Sequence, residues 1–123
     1  MREPTDEELR DRRTRLAETL LRLASPAAEQ RAYIRALGTA PCIDELALEF
    51  DDMFVVTPLM LSRGALSPAE KLPLDAVDAQ LKAMSGRHQA ALWDLDALDR
   101  PEWARVRELA RSALSRLKPC EPL

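Results

Sequence analysis

Between Ile43 and Phe54 the large or small apolar residues are Ile43, Leu46, Ala47, Phe50, Met53 and Phe54, a spacing that an α-helix gathers onto one face. On a helical projection they cover an arc of roughly 120°, the width of a core-facing stripe. A second, narrower stripe lies opposite, where Leu48 and Val55 stack one above the other. Acids surround that pair: Asp44 and Asp51 on one flank, Glu45, Glu49 and Asp52 towards the other. The pattern predicts a helix over about residues 41–57, central in the fold, with neighbours on two sides. Pro58 ends it, because an interior proline removes a hydrogen bond and clashes with the carbonyl four residues back. A kink or break is expected near Pro58, with a helical turn resuming to Arg63 and Gly64 closing it. The rival reading, a short strand at Phe54-Val55-Val56, has no second strand to pair with.

Composition extends the helical argument to the whole chain. Of 36 large apolar residues, 21 are Leu and only six are Ile or Val. Leucine and alanine favour helix, whereas β-branched residues favour strands, so the expected fold class is all-α. A chain of 123 residues suffices for one core without disulfides or metals. The expectation is a single helical domain over residues 1–123, a bundle of about five helices with a short irregular tail after Lys118.

Start and stop signals place the other helices. Thr5 with Glu8 three residues on forms a capping box, followed by Leu9, Leu16, Leu20 and Leu23 as a buried stripe. Asp6–Arg10, Glu8–Arg12, Asp11–Arg15 and Glu18–Arg22 are i,i+4 pairs in the favourable order, so the Arg-rich side of this helix reads as a solvated face. Ser25-Pro26 predicts a cap and first turn for a short helix bearing Tyr33, Ile34 and Leu37 and stopping at Gly38. Ser67-Pro68-Ala69-Glu70 is a strong start signal, with Pro73 expected to split off a single turn before Leu74, Val77, Leu81 and Met84. After Ser85-Gly86, Arg87 to Gln89 reads as loop, and Leu92, Trp93, Leu95 and Leu98 as an irregular helical segment. Asp99-Arg100-Pro101-Glu102 opens a last helix to about Lys118, with Trp103, Val106, Leu109, Ala110, Ala113, Leu114 and Leu117 inward.

Charge narrows the partners. The net charge of -3 and pI near 5.2 argue against nucleic acid, whose phosphates call for a basic footprint. Residues 43–62 hold five acids and no base. The bases of the last helix, Arg105, Arg107, Arg111, Arg116 and Lys118, split to either side of its apolar stripe and read as snorkelling side chains. The longest uncharged run, Met53 to Ser62, is about half of what spans a bilayer, so no membrane partner is expected. The N-terminal residues lack the apolar core of a signal peptide. Cys42 and Cys120, with no short spacing, read as free thiols, which together predict a cytoplasmic protein.

No motif names a reaction. His88, the single histidine, sits in a polar stretch with no acid at a fixed spacing. A di-metal carboxylate site in a helical bundle wants Glu-x-x-His on two helices, and the chain has none. Cys42 lies near a helix start, but Asp44 and Glu45 disfavour its thiolate. The expectation is no metal, no cofactor and no catalytic residue. What remains is Leu48 and Val55 rimmed by Asp44, Glu45, Glu49, Asp51 and Asp52. If no neighbouring helix covers the pair, this is the anatomy of a docking patch for a basic protein partner. In size, charge and helicity the chain resembles small acidic immunity proteins that neutralise nuclease toxins, a likeness of format with no shared motif. Two alternatives stand beside it: a regulator with a small-molecule pocket between helices near Phe50, Phe54, Trp93 and Trp103, and an enzyme built on acids that no motif places.

Overall fold

The computed structural model describes residues 4–37, 43–85 and 87–117, with only the backbone for residues 87 and 88. Thr5 opens the first helix by accepting the Glu8 N–H on its hydroxyl at 3.1 Å. Helix α1 then runs Asp6–Ala24 and buries Leu9, Leu16, Leu20 and Leu23. Ser25 does not cap the next helix as its sequence position suggests. Its hydroxyl donates back to the Leu21 carbonyl at 2.7 Å and finishes α1 instead. Helix α2 is Ala27–Ala36, with Pro26 at its N-cap. Gln30 is buried, and its amide donates to the Arg22 and Leu23 carbonyls at 3.0 Å each, satisfying orphan acceptors at the end of α1.

Helix α3, Asp44–Phe54, forms where the periodicity placed it. Its start is shorter than expected, since Ile43 is the N-cap, and Thr39 to Cys42 lie outside the described residues. The break falls at Val55–Val56, and α4 (Thr57–Ser62) begins anew with Pro58 in its first turn. There the missing N–H has no intrahelical acceptor to lose. Gly64, at φ +77°, turns the chain after α4 in a left-handed conformation that glycine adopts without a Cβ penalty. The Met60 carbonyl then accepts from Ala65 at 2.8 Å and Leu66 at 3.2 Å.

Helix α5, Pro68–Ala83, carries the full capping box. Ser67 Oγ accepts the Glu70 N–H at 3.2 Å, and Glu70 Oε1 accepts the Ser67 N–H at 2.9 Å. The expected split at Pro73 does not occur, and the helix passes through it unbroken. Pro73 stands so close to the start that it removes one bond from a turn already held by the box. Two 3₁₀ segments follow, Arg87–Trp93 and Leu95–Asp99, so residues 87–89 are helical and not a loop. Helix α6, Pro101–Arg116, is preceded by Arg100 as N-cap with no side-chain cap bond. Asp99 therefore ends the preceding segment, and Lys118 and the tail fall outside the described residues.

Among the described residues there is no strand, and the α3–α4 pair counts as one broken helix of a five-helix bundle. The heaviest packing runs from α1 to α6 and from α6 to α5, with Trp103 and Val106 fully buried between them. Helix α3 lays its wide stripe on α1 and touches α5 more lightly on its other side. Leu48 and Val55 stay exposed on the outer side of α3, as do Leu21, Leu37 and Leu72 elsewhere.

Candidate functional site

Leu48 and Val55 remain 53% and 65% exposed. Among the described residues no helix covers the narrow stripe. Asp44, Glu45, Asp51 and Asp52 are exposed around it. The flanks separate as the helical projection predicts. Asp51 faces the C-terminal half of α5 and Asp44 faces Ser85, Ala90 and Trp93 beyond it, while Glu49 and Asp52 face α1. Glu49 differs from the other acids because it is tied into the fold. It accepts from the Tyr33 hydroxyl and pairs with Arg22 at 3.3 Å, while the Arg22 guanidinium lies 4.7 Å from the centre of the Tyr33 ring. Burial, then the hydrogen bond to Glu49, holds the Tyr33 hydroxyl above its ordinary pKa. Glu49 thus latches α1, α2 and α3 together.

The surface beside Leu48 is a groove with two connected lobes. The larger, of about 460 Å³, is lined by Asp44, Ala47, Leu48, Ser85, Ala90 and Trp93. The smaller, of about 170 Å³, shares Ala47, Leu48, Ser85 and Trp93 and reaches down to Phe50, Leu81, Asp51, Asp78 and Lys82. Trp93 forms a rigid wall, because its indole N–H donates to the Met84 carbonyl at 2.9 Å and its ring meets Trp103 edge-on at 5.3 Å. Asp78 pairs with Lys82 at 2.8 Å. That hydrogen bond, followed by the charge of Asp78, holds the Lys82 ammonium above its usual pKa. Three carboxylates against one ammonium leave the groove negative around an apolar floor. Val55 lies on the same helical face, two turns beyond, outside the groove lining.

The aromatic residues considered as a pocket divide into two pairs. Phe50 and Trp93 line the groove together. Phe54 stacks on Phe50 at 5.4 Å under the Lys71 ammonium, and Trp103 is fully buried beneath Trp93 with its N–H on the Leu92 carbonyl at 2.6 Å. Neither of these two lines the groove. The groove residues that sequence reasoning did not single out are Asp78, Lys82 and Ala90, while Ala47, Leu81 and Ser85 were read only as stripe or helix-end positions. The first three come from two other segments, and only the Asp78–Lys82 spacing was visible as an i,i+4 pair.

A larger hollow of about 640 Å³ lies across the molecule between α1 and the α4–α5 connection. Its charged walls are largely matched within the fold: Arg13 with Glu70 at 2.5 Å and Arg63 with Asp6 at 2.6 Å. Among the described residues no three His, Cys, Asp or Glu side chains converge to hold a metal ion. Cys42, Cys120 and the side chain of His88 lie outside the described residues. No described helix is long and apolar enough to cross a membrane. Neither the protein-family models, the curated proteins nor the solved structures offer a match to this chain.

Proposed function

We propose that this protein is a non-catalytic cytoplasmic binding module that docks a basic protein partner on the α3 face, as an acidic inhibitor does. The observation that carries the reading is the exposure of Leu48 at the centre of an acid-rimmed groove. An apolar centre inside a charged rim is how protein interfaces are built. The partner's complement is one apolar side chain seated against Ala47, Leu48 and Trp93, flanked by lysine or arginine facing Asp44, Glu45 and Asp51. Val55 and Asp52 extend the contact along α3.

The test begins with crosslinked co-purification from the native cell and ends with purified components. With the identified partner, the double variant Asp44→Lys, Asp51→Lys should slow association about tenfold or more and flatten its salt dependence, because rim charges act on encounter. Leu48→Ala should raise the dissociation rate instead, since a central apolar contact holds the formed complex. A purified partner indifferent to both changes would sink the proposal. A second reading draws on the groove's size, which lies within the range of small-molecule sites, with Phe50 and Trp93 as walls. It predicts a metabolite whose binding quenches Trp93 fluorescence and survives Asp44→Lys.

A further inference from the structure

Away from the groove, three arginines meet where α2, the second 3₁₀ segment and α6 come together. Arg31 donates from Nε to the Leu95 carbonyl at 3.2 Å and from Nη2 to Asp99 at 2.5 Å. Arg107 donates from Nη1 to the Leu98 carbonyl at 2.8 Å and to the Gln30 amide oxygen at 3.3 Å. Arg111 donates from Nε to the Ala24 carbonyl at 3.3 Å. Four of these five acceptors are neutral. Elsewhere the buried or cross-helix arginines meet carboxylates, as in Arg13–Glu70, Arg22–Glu49 and Arg63–Asp6. Here Asp99, whose side chain is mostly in solvent, pairs with Arg31 and acts on Arg107 through its charge.

Neutral acceptors fix a guanidinium in place without cancelling its charge. Arg107 is held below its ordinary pKa first by burial and then by Arg111, with Asp99 opposing and Arg31 adding the smallest effect. A purely structural role is the competing account, since these arginines cover carbonyls at the end of α1 and in the 3₁₀ segment. The magnitudes do not match it. A helix C-terminus presents about half a negative charge, whereas the cluster carries three positive ones against one carboxylate. Each guanidinium offers five N–H donors in a rigid fork, and the bonds described engage only one or two of them apiece.

We infer that Arg31, Arg107 and Arg111 form a preorganised clamp for a multiply charged oxyanion, the phosphate or pyrophosphate group of a small ligand. The oxyanion replaces the missing counter-charge, and because the arginines are already held by the fold, little side-chain freedom is lost on binding. The site is independent of the α3 groove and stands or falls separately.

The test is thermal unfolding of the full chain with inorganic phosphate, with pyrophosphate and with sodium chloride at matched ionic strength. Pyrophosphate should raise the melting temperature in proportion to the logarithm of its concentration above Kd, by roughly ten degrees at about a hundred times its Kd, with phosphate weaker. Arg111→Gln should weaken the pyrophosphate affinity about tenfold or more. The unliganded Arg111→Gln protein loses one repelling charge together with a single long bond to the Ala24 carbonyl, so it should still fold and show an unchanged circular dichroism spectrum. Arg12→Gln, on an exposed turn of α1, should leave binding unchanged. Arg107→Gln risks the fold, since it abandons the Leu98 carbonyl, so Arg111 and Arg31 carry the test. No shift beyond that of chloride at matched ionic strength overturns the clamp. So does a shift that Arg111→Gln leaves intact, which marks an adventitious ion only. Tighter Arg111-dependent binding of a single-stranded oligonucleotide would overturn the small-ligand assignment in favour of a nucleic acid.

Discussion

Tyr33 is the chain's single tyrosine, so tyrosinate absorbance reads one side chain. Its folded pKa is raised, first by burial and then by the hydrogen bond to Glu49. The neutral phenol therefore contributes stability that is fully present below the ordinary value of 10.0 and lost as pH rises through the folded value. The expected midpoint lies above 10.0, and Glu49→Gln should lower it without returning it fully, since burial remains the larger cause. An unchanged midpoint in that variant would show that the latch does not form in solution. Arginines make the complementary case. Arg13 is 12% exposed and pairs with a Glu70 that is 16% exposed, and the bond holds the Glu70 carboxyl below its usual range. That contribution is present above the ordinary glutamate pKa and fades as pH falls below it. Arg13→Ala should cost about 1–3 kcal/mol in a urea melt at neutral pH, by stranding a partly buried acceptor. Arg12→Ala should stay within about 0.5 kcal/mol. Nothing in the sequence Arg12-Arg13 separates the two. The difference depends on which one faces α5 across 57 residues. For the same reason Asp6 and Arg22, each read as half of an i,i+4 pair within α1, pair with Arg63 and Glu49, while Asp11–Arg15 forms as expected, at 3.2 Å.

At the scale of elements, the two mid-chain prolines behave differently for a positional reason. Pro58 stands in the first turn of α4, where its locked φ suits the helix and its absent N–H costs nothing. Pro73 lies inside α5, where an amide N–H would have reached the carbonyl four residues back. Pro73→Ala should therefore stabilise the protein by about 1–3 kcal/mol, while Pro58→Ala should be neutral or destabilise by up to about 1 kcal/mol. Equal effects in denaturant melts would mean that the two prolines sit in equivalent backbone. Most helix positions were legible because caps and apolar periodicity are local: Thr5, Ser67-Glu70 and the leucine stripes all act within a few residues. The unsplit α5 was not, because the strength of its first turn depends on Arg13 arriving from α1 at the side chain of Glu70. The groove was half legible. Leu48, Asp44 and Asp51 could be placed on one helical face, but Trp93, Ala90 and Ser85 could not be placed beside them without knowing how α3 runs against α5.

For the whole molecule, charge is distributed against stability. The chain is net negative, yet five acids crowd the stretch around α3 while arginines gather at the α2–α6 corner. Asp44 and Glu45 occupy the first turn of α3, where the helix dipole favours them. Asp51 and Asp52 occupy its C-terminal part, where the dipole disfavours them and no basic residue stands in the last turn. Both are exposed, and among the described residues neither has an ion-pair partner. A sequence shaped for stability alone has no use for two carboxylates there, whereas a face that steers a basic partner does. Neutralising them separates the two demands. Asp51→Asn with Asp52→Asn should stabilise the free protein by a few tenths to about 1 kcal/mol at low ionic strength. The gain should shrink as salt screens the field over about 8–10 Å. If the α3 face docks a basic partner as proposed, the same variant should associate with it more slowly, so stability rises while encounter falls. If instead the double variant melts lower than wild type at low salt, the two aspartates hold α3 in place, and their acidity needs no partner to explain it.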